Sequence, residues 1–229
     1  MNTYIIGDIH GCSEAFRLLL ERLSPDAGSD RLILLGDLFD RGPDSWQVFQ
    51  MVKKLAKEFG DRFVLLKGNH EDYLTREKLS LGERFVWERV GRSATVRSFK
   101  QHGERQEAAI PWLNDHMQFY FKGEGFQCVH AGIMVDPPEA NDSYTLLHDH
   151  DIVLRNIYKG PLTITGHIAL EEAAYFAGDE GPAAILPEDT KIPLPSAGVI
   201  CIDTGCGKGG KLSGMVIKGN SCTLYSVPQ

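Results

Sequence analysis

Three short segments concentrate side chains that hold metal ions: Gly7-Asp8-Ile9-His10-Gly11, Gly36-Asp37-Leu38-Phe39-Asp40-Arg41-Gly42 and Gly68-Asn69-His70-Glu71. Each follows an apolar run, which places its donors at a strand end. Asp and Asn offer hard oxygen and His borderline nitrogen, while the flanking glycines let the backbone turn sharply enough for the donors to converge at one rim of a sheet. Val129-His130-Ala131-Gly132 and Thr165-Gly166-His167 repeat the pattern after two later apolar runs. Asp8, His10, Asp37, Asn69, His130 and His167 then form a mixed oxygen and nitrogen set without cysteine. Such a set differs from a structural zinc site and suits manganese, iron or zinc better than calcium or magnesium.

Singly, these residues have plainer readings. Asp8 fits a turn, Asp40 a helix cap, Arg41 a helix-entry surface position, and His130 and His167 satisfied histidines at strand ends. Together they suit two divalent ions about 3.5 to 4 Å apart that share a hydroxide and clamp phosphate oxygens. Asp37, with two carboxylate oxygens, can bridge such a pair. Asp8, Asp37 and one hydroxide leave the cluster positive, and Arg41 adds a forked donor matched to phosphate. His70 follows a ligand and reads as a proton donor to a leaving group, with Asp40 keeping it charged and oriented.

The elements that must position these groups begin with alternating strands and helices. Tyr4 to Ile9 reads as a strand and Ser13 as the cap of a helix over Glu14 to Leu23, whose Phe16, Leu19, Leu20 and Leu23 share a face. Arg31 to Leu35 is the next strand, followed by a helix opened by Pro43, running to about Phe59 and stopped by Gly60. Arg62 to Leu66 is the third strand. Strands this apolar, joined by helical crossovers, predict parallel pairing in a covered sheet. Residues 71 to about 116 read as a helical, arginine-rich insertion in which Arg84, Arg89, Arg92 and Arg97, beside Trp87, form either the wet side of a helix or a phosphate-facing patch. From Gln118 onward short strands dominate: Phe119 to Phe121, Gln127 to Val129, Leu162 to Thr165, Ala183 to Leu186, Val199 to Ile202, Gly214 to Ile217 and Cys222 to Val227. The pattern predicts one domain over residues 1–229, an α/β (α+β) fold of two packed mixed β-sheets flanked by helices.

The chain has 229 residues, a net charge of -7 and 42% hydrophobic residues, an ordinary globular composition. The acidic balance argues against nucleic acid or an anionic membrane as partner. No apolar stretch approaches the roughly 20 residues of a membrane span, and Met1 leads into a strand without a signal segment, so a cytoplasmic location is expected. The five cysteines are odd in number and lie in or beside apolar runs, as reduced thiols do. His148-Asp149-His150-Asp151 reads as a further metal cluster or a solvated loop, and Asp203-Thr204-Gly205 as a structural turn near the site.

Over nearly its whole length the chain resembles the metallophosphoesterases of the calcineurin-like type, and more narrowly the phosphoprotein phosphatases with their small bacterial and phage members. Gly7 to Gly11, Gly36 to Gly42 and Gly68 to Glu71 match the GDxHG, GDxxDRG and GNHE boxes of that family. The resemblance implies Asp8, His10, Asp37, Asn69, His130 and His167 as ligands of two divalent ions, manganese foremost, with Asp37 bridging. It also implies His70 as acid, Asp40 as its partner and Arg41 as phosphate clamp. Asn69 would additionally face the substrate. A second phosphate-binding arginine of the family falls on Arg155, although Val153 stands where the family often has Trp and Ile168 where it often has Thr. The expected reaction is removal of phosphate from phosphoserine or phosphothreonine by in-line attack of the bridging hydroxide, with a phosphoprotein or phosphopeptide as partner. The alternatives are symmetrical hydrolysis of diadenosine tetraphosphate and a phosphate-binding module without catalysis. The intact His70 and Asp40 speak against the last.

Overall fold

A computed structural model describes residues 1–229. In chain order its strands are β1 (Thr3–Ile6), β2 (Arg31–Leu34), β3 (Phe63–Leu66), β4 (Met117–Gln118), β5 (Tyr120–Lys122), β6 (Gln127–Val129) and β7 (Thr163–Thr165). They continue with β8 (Ala174–Phe176), β9 (Ala184–Ile185), β10 (Lys191–Pro193), β11 (Val199–Cys201), β12 (Lys211–Lys218) and β13 (Ser221–Pro228). The helices are α1 (Ser13–Leu23), α2 (Ser45–Phe59), α3 (Asn69–Thr75), α4 (Leu81–Arg89), α5 (Arg92–Gln101), α6 (Ile110–His116), α7 (Ser143–His148) and α8 (Asp151–Leu154).

One sheet has seven strands in the order β10-β13-β12-β1-β2-β3-β4, and the other six in the order β5-β6-β7-β11-β8-β9. Strands β1, β2 and β3 run parallel, with Ile6 beside Leu34 and Leu34 beside Leu65, as apolar strands with helical crossovers require. Successive side chains point to opposite faces, so Tyr4 and Ile6 join the core under α1 and α2. Ile5 and Ile33 instead meet Ile164 and Ile200 of the second sheet. On the outer face of that sheet, Val129 and Val199 pack with Leu146, Ile152 and Val153 of α7 and α8. The layers are therefore helices, sheet, sheet and helices, the two mixed sheets and flanking helices expected.

Several boundaries differ from the sequence reading. β1 ends at Ile6 because Gly7 and the donor loop leave the ladder, and α1 begins at Ser13, whose hydroxyl donates to Asp44 rather than capping the helix. α2 starts at Ser45, so Pro43 lies in the loop. The short strands β8 and β10 had no sequence expectation. All five cysteines are buried and free. No helix is long and apolar enough to cross a membrane.

Candidate metal-centred active site

The donors gather at one end of both sheets. Asp8 stands two residues beyond β1, Asp37 three beyond β2, Asn69 three beyond β3, His130 directly after β6 and His167 two beyond β7. Adjacent strand ends bring side chains distant in sequence together, and here they form one buried cluster. His10 Nε2 lies 3.5 Å from Asp37 Oδ2 and 3.9 Å from Asp8 Oδ2. His130 Nε2 lies 3.4 Å from Asp37 Oδ1. Asn69 Oδ1 is 3.1 Å from His130 Nε2 and 3.0 Å from His167 Nδ1. His10, Asp37 and His70 make one grouping fit for a cation, and Asp37, His130 and His167 a second, with Asp37 common to both.

Backbone carbonyls set the imidazoles. His10 Nδ1 donates to Phe39 O at 2.8 Å and His130 Nδ1 to Leu35 O at 2.9 Å, which turns each Nε2 lone pair inward. His130 Nε2, Asn69 Oδ1 and Asp37 Oδ1 are then three acceptors facing one another. Such a set needs a cation among them or a proton shared between them. Asp8 Oδ1 and His167 Nε2 are buried without a partner. Glycine keeps space at the donors: a Cβ on Gly68 would fall 2.1 Å from Asp37 Oδ1, and one on Gly166 2.0 Å from Asp8 Oδ1. The residues present therefore fit a pair of divalent ions.

Strain marks the same loops. Of nine non-glycine residues with positive φ, five are His10, Asp37, Asp40, Arg41 and His167. L-residues pay about 1–3 kcal/mol for such conformations and keep them where the surroundings enforce them, commonly at active sites. Glu71 is part of that enforcement. Its carboxylate accepts the backbone N–H of Asp37 at 2.8 Å, Leu38 at 2.9 Å and Gly68 at 3.1 Å, tying the second donor loop to the third.

His70 sits within this frame. Its Nδ1 meets Asp40 Oδ2 at 2.7 Å, and its Nε2 lies 3.8 Å from Asp37 Oδ2. Burial lowers the affinity of His70 for its proton, but Asp37 and Asp40 outweigh it and hold the pKa above the ordinary value. Burial, with the charge of His70 beside it, keeps His10 far below the ordinary value, and burial with His130 beside it brings His167 to about 2. Burial also pushes up Asp37, yet His130, His70, His10 and His167 hold it well below the carboxylate range. Asp8 is raised well above that range by burial and by the charges of Asp203 and Asp37.

Asp40 does not cap α2. Its Oδ2 also accepts the indole N–H of Trp87 at 2.7 Å, and its Oδ1 the hydroxyl of Thr95 at 2.6 Å. Helices α4 and α5 of the insertion thus lock the carboxylate that orients His70. Phe99 on α5 is fully buried edge-on to Phe39, 5.9 Å between centroids, which braces the loop whose carbonyl holds His10. Truncating such a phenylalanine to alanine destabilises by about 3–5 kcal/mol. Arg84, Arg89 and Arg97 are exposed, and Arg92 pairs with Glu88 above the Trp87 ring.

Arg41 donates through Nη1 to His10 Nε2, at the edge of the cluster. Arg155 makes no hydrogen bond to the cluster: its guanidinium pairs with Asp151 on α8 and is 62% exposed. His148 and His150 are not a separate cluster. Their rings lie 6.4 Å and 4.8 Å from that of His167. Asp203, read from the sequence as part of a structural turn near the site, is a buried carboxyl two residues beyond β11 with Oδ2 unpartnered, whose pKa burial raises. Its signal was available, since Asp8 and His167 occupy the same place after their own strands.

Known proteins sharpen this. Over 140 residues the chain is 33% identical to "Bis(5'-nucleosyl)-tetraphosphatase, symmetrical" of Pseudomonas fluorescens (strain SBW25), covering 61% of this chain and 44% of that protein. Over 162 residues it is 35% identical to the protein of the same name from Coxiella burnetii (strain Dugway 5J108-111), covering 70% and 50%. The chain thus spans about half the length of the curated relatives it matches. A metallophosphoesterase from Sphaerobacter thermophilus superposes with a TM-score of 0.68 at 15% identity, covering 99% of this chain and 88% of that one. A putative diadenosine tetraphosphatase gives 0.60 at 20%, covering 99% and 93%.

These relatives overturn the expected phosphoserine and phosphothreonine specificity and the phosphoprotein partner, because their names point to a dinucleotide. The error has a physical root. The three boxes carry candidate metal donors and a phosphate clamp, and these say nothing of what lies beyond the attacked phosphate. The match to "Calcineurin-like phosphoesterase" runs through residues 1–212, and the chain belongs to that family of metal-dependent hydrolases.

Proposed function

We propose that the chain hydrolyses symmetrical dinucleoside tetraphosphates, diadenosine tetraphosphate first among them, at the central anhydride to give two nucleoside diphosphates. The observation that carries this reading is the name shared by the curated relatives, joined to a cluster whose donors suit phosphate chemistry. Asp8, His10, Asp37, Asn69, His130 and His167 would hold two divalent ions, with manganese the first candidate and iron or zinc the others. When bound, the ions supply Lewis-acid polarisation of the phosphate and a water of lowered pKa.

The side chains do the rest. Arg41 offers two parallel N–H groups to phosphate oxygens, a geometry that lysine lacks. Asp40 accepts from His70 Nδ1 and so directs Nε2 toward the cluster, where it gives its proton to the departing diphosphate oxygen. Burial excludes bulk water from His10, Asp37, His70 and His130, which strengthens every charge interaction among them.

The test is product analysis. With manganese present, diadenosine tetraphosphate should yield ADP alone. Formation of ATP with AMP, or no hydrolysis, would refute the reading.

A further inference from the structure

Beside the cluster, a groove of about 320 Å³ opens between α3, α4 and α7, lined by Asp72, Tyr73, Arg76, Glu83, Tyr144 and His148 among others. That volume lies at the lower end of small-molecule sites, about 300–1,000 Å³. We propose that this groove seats a nucleoside base of the substrate, with Tyr144 as the stacking platform; the proposal rests on the dinucleotide reading above.

Three observations carry it. First, the groove wall touches the chemistry at two points: the Tyr73 ring lies 6.3 Å from His70, and the His148 ring 6.4 Å from His167. A nucleoside attached to phosphates at the cluster therefore has the groove as its neighbour. Second, the wall is aromatic. Tyr73 and His148 are 6.1 Å apart, and Tyr144 stacks on His148 at 4.9 Å with an interplanar angle of 25°. Tyr144 is nevertheless 72% exposed, which leaves the open face that a planar base needs. Third, the groove's charges are already paired. Arg76 bridges Asp72 at 2.8 Å and Glu83 at 2.6 Å, leaving no free cation among these lining residues. The groove thus disfavours a phosphate and suits an uncharged base, while Arg41 and the ions draw the phosphates to the cluster.

Stacking a base on an aromatic side chain contributes about 1–3 kcal/mol, which corresponds to about 5- to 150-fold in affinity. The experiment is calorimetric titration of manganese-loaded protein, in excess free manganese, with ADP and separately with pyrophosphate. Wild type should bind ADP more tightly than pyrophosphate. Tyr144→Ala should weaken ADP by at least about 5-fold with pyrophosphate within about twofold of wild type, and Tyr144→Phe, which keeps the ring, should restore ADP binding. Equal loss for both ligands, an unchanged ADP affinity in Tyr144→Ala, or no preference for ADP in wild type would overturn the subsite. Because the readout is binding and not turnover of diadenosine tetraphosphate, it decides the subsite even if that dinucleotide proves not to be hydrolysed, a result that would count against the functional reading alone.

Discussion

The indole N–H of Trp87 and the Nδ1 of His70 meet the same oxygen of Asp40, Oδ2, each at 2.7 Å. A side chain of the helical insertion and the proposed proton donor are thereby coupled through one carboxylate. The insertion therefore supplies a donor to the carboxylate that holds the proposed acid.

Trp87→Phe keeps a ring in the core but removes the donor to a buried carboxylate. We expect a stability loss of about 1.5–3 kcal/mol and a kcat lowered by about 10-fold, since partners that orient site residues commonly contribute that much. Denaturant titration and steady-state kinetics check both. A variant with wild-type kcat would remove the insertion from the mechanism.

Asp40→Asn tests the orientation of His70 through pH. Burial pulls the His70 pKa down, while Asp37 and Asp40 push it up. A general acid must be protonated, so activity falls as pH rises through its pKa. Replacing Asp40 removes an upward push, and the alkaline limb of the kcat profile should move to lower pH. A limb that stays in place would assign that ionisation elsewhere.

Much of this centre is legible in the sequence, because box residues at strand ends depend only on local chain geometry. Asp8, Asp37 and His167 fall where an apolar run and a glycine put them. The locking of Asp40 was not legible, since Trp87 and Thr95 reach it from 47 and 55 residues away, a pairing that exists only once α4 and α5 have packed. The strand β10 escaped because Lys191 and Pro193 leave it a single apolar residue, Ile192, where β6, β7 and β11 each belong to a longer apolar run. Arg155 pairs with Asp151 four residues earlier, a local contact that positional matching does not foresee.

Metal-free protein should lose stability as pH rises through neutrality. Burial raises the carboxyls of Asp8, Asp203 and Glu71, the last to about 7, and His70 is also raised. Unfolded carboxyls release their protons near pH ~4 and histidine near ~6.5. Above that range the folded chain therefore holds more protons than the unfolded one, and unfolding free energy falls as pH increases. The lowered His10 and His167 act in the opposite sense, but only below ~6.5, where the unfolded imidazoles take up protons. Thermal denaturation in chelator should show the Tm falling as pH rises through about 7, the raised value of Glu71, and saturating manganese should reduce the fall by displacing protons from the raised groups at the cluster. A Tm that rises with pH in chelator would contradict the argument.

Gly166→Ala places a methyl group 2.0 Å from Asp8 Oδ1, so the carboxylate must move. Manganese affinity should drop by about 10- to 100-fold while the metal-free Tm changes little. Calorimetric titration with the metal checks this. Unchanged affinity would show that Asp8 is not a ligand.

The most direct measurement is titration of chelator-stripped protein with manganese while bound metal and hydrolysis of diadenosine tetraphosphate are followed together. Activity should begin from nothing and reach its plateau at two ions bound per chain. Full turnover by stripped protein, or a plateau at a single ion, would contradict a two-ion centre built from Asp8, His10, Asp37, Asn69, His130 and His167.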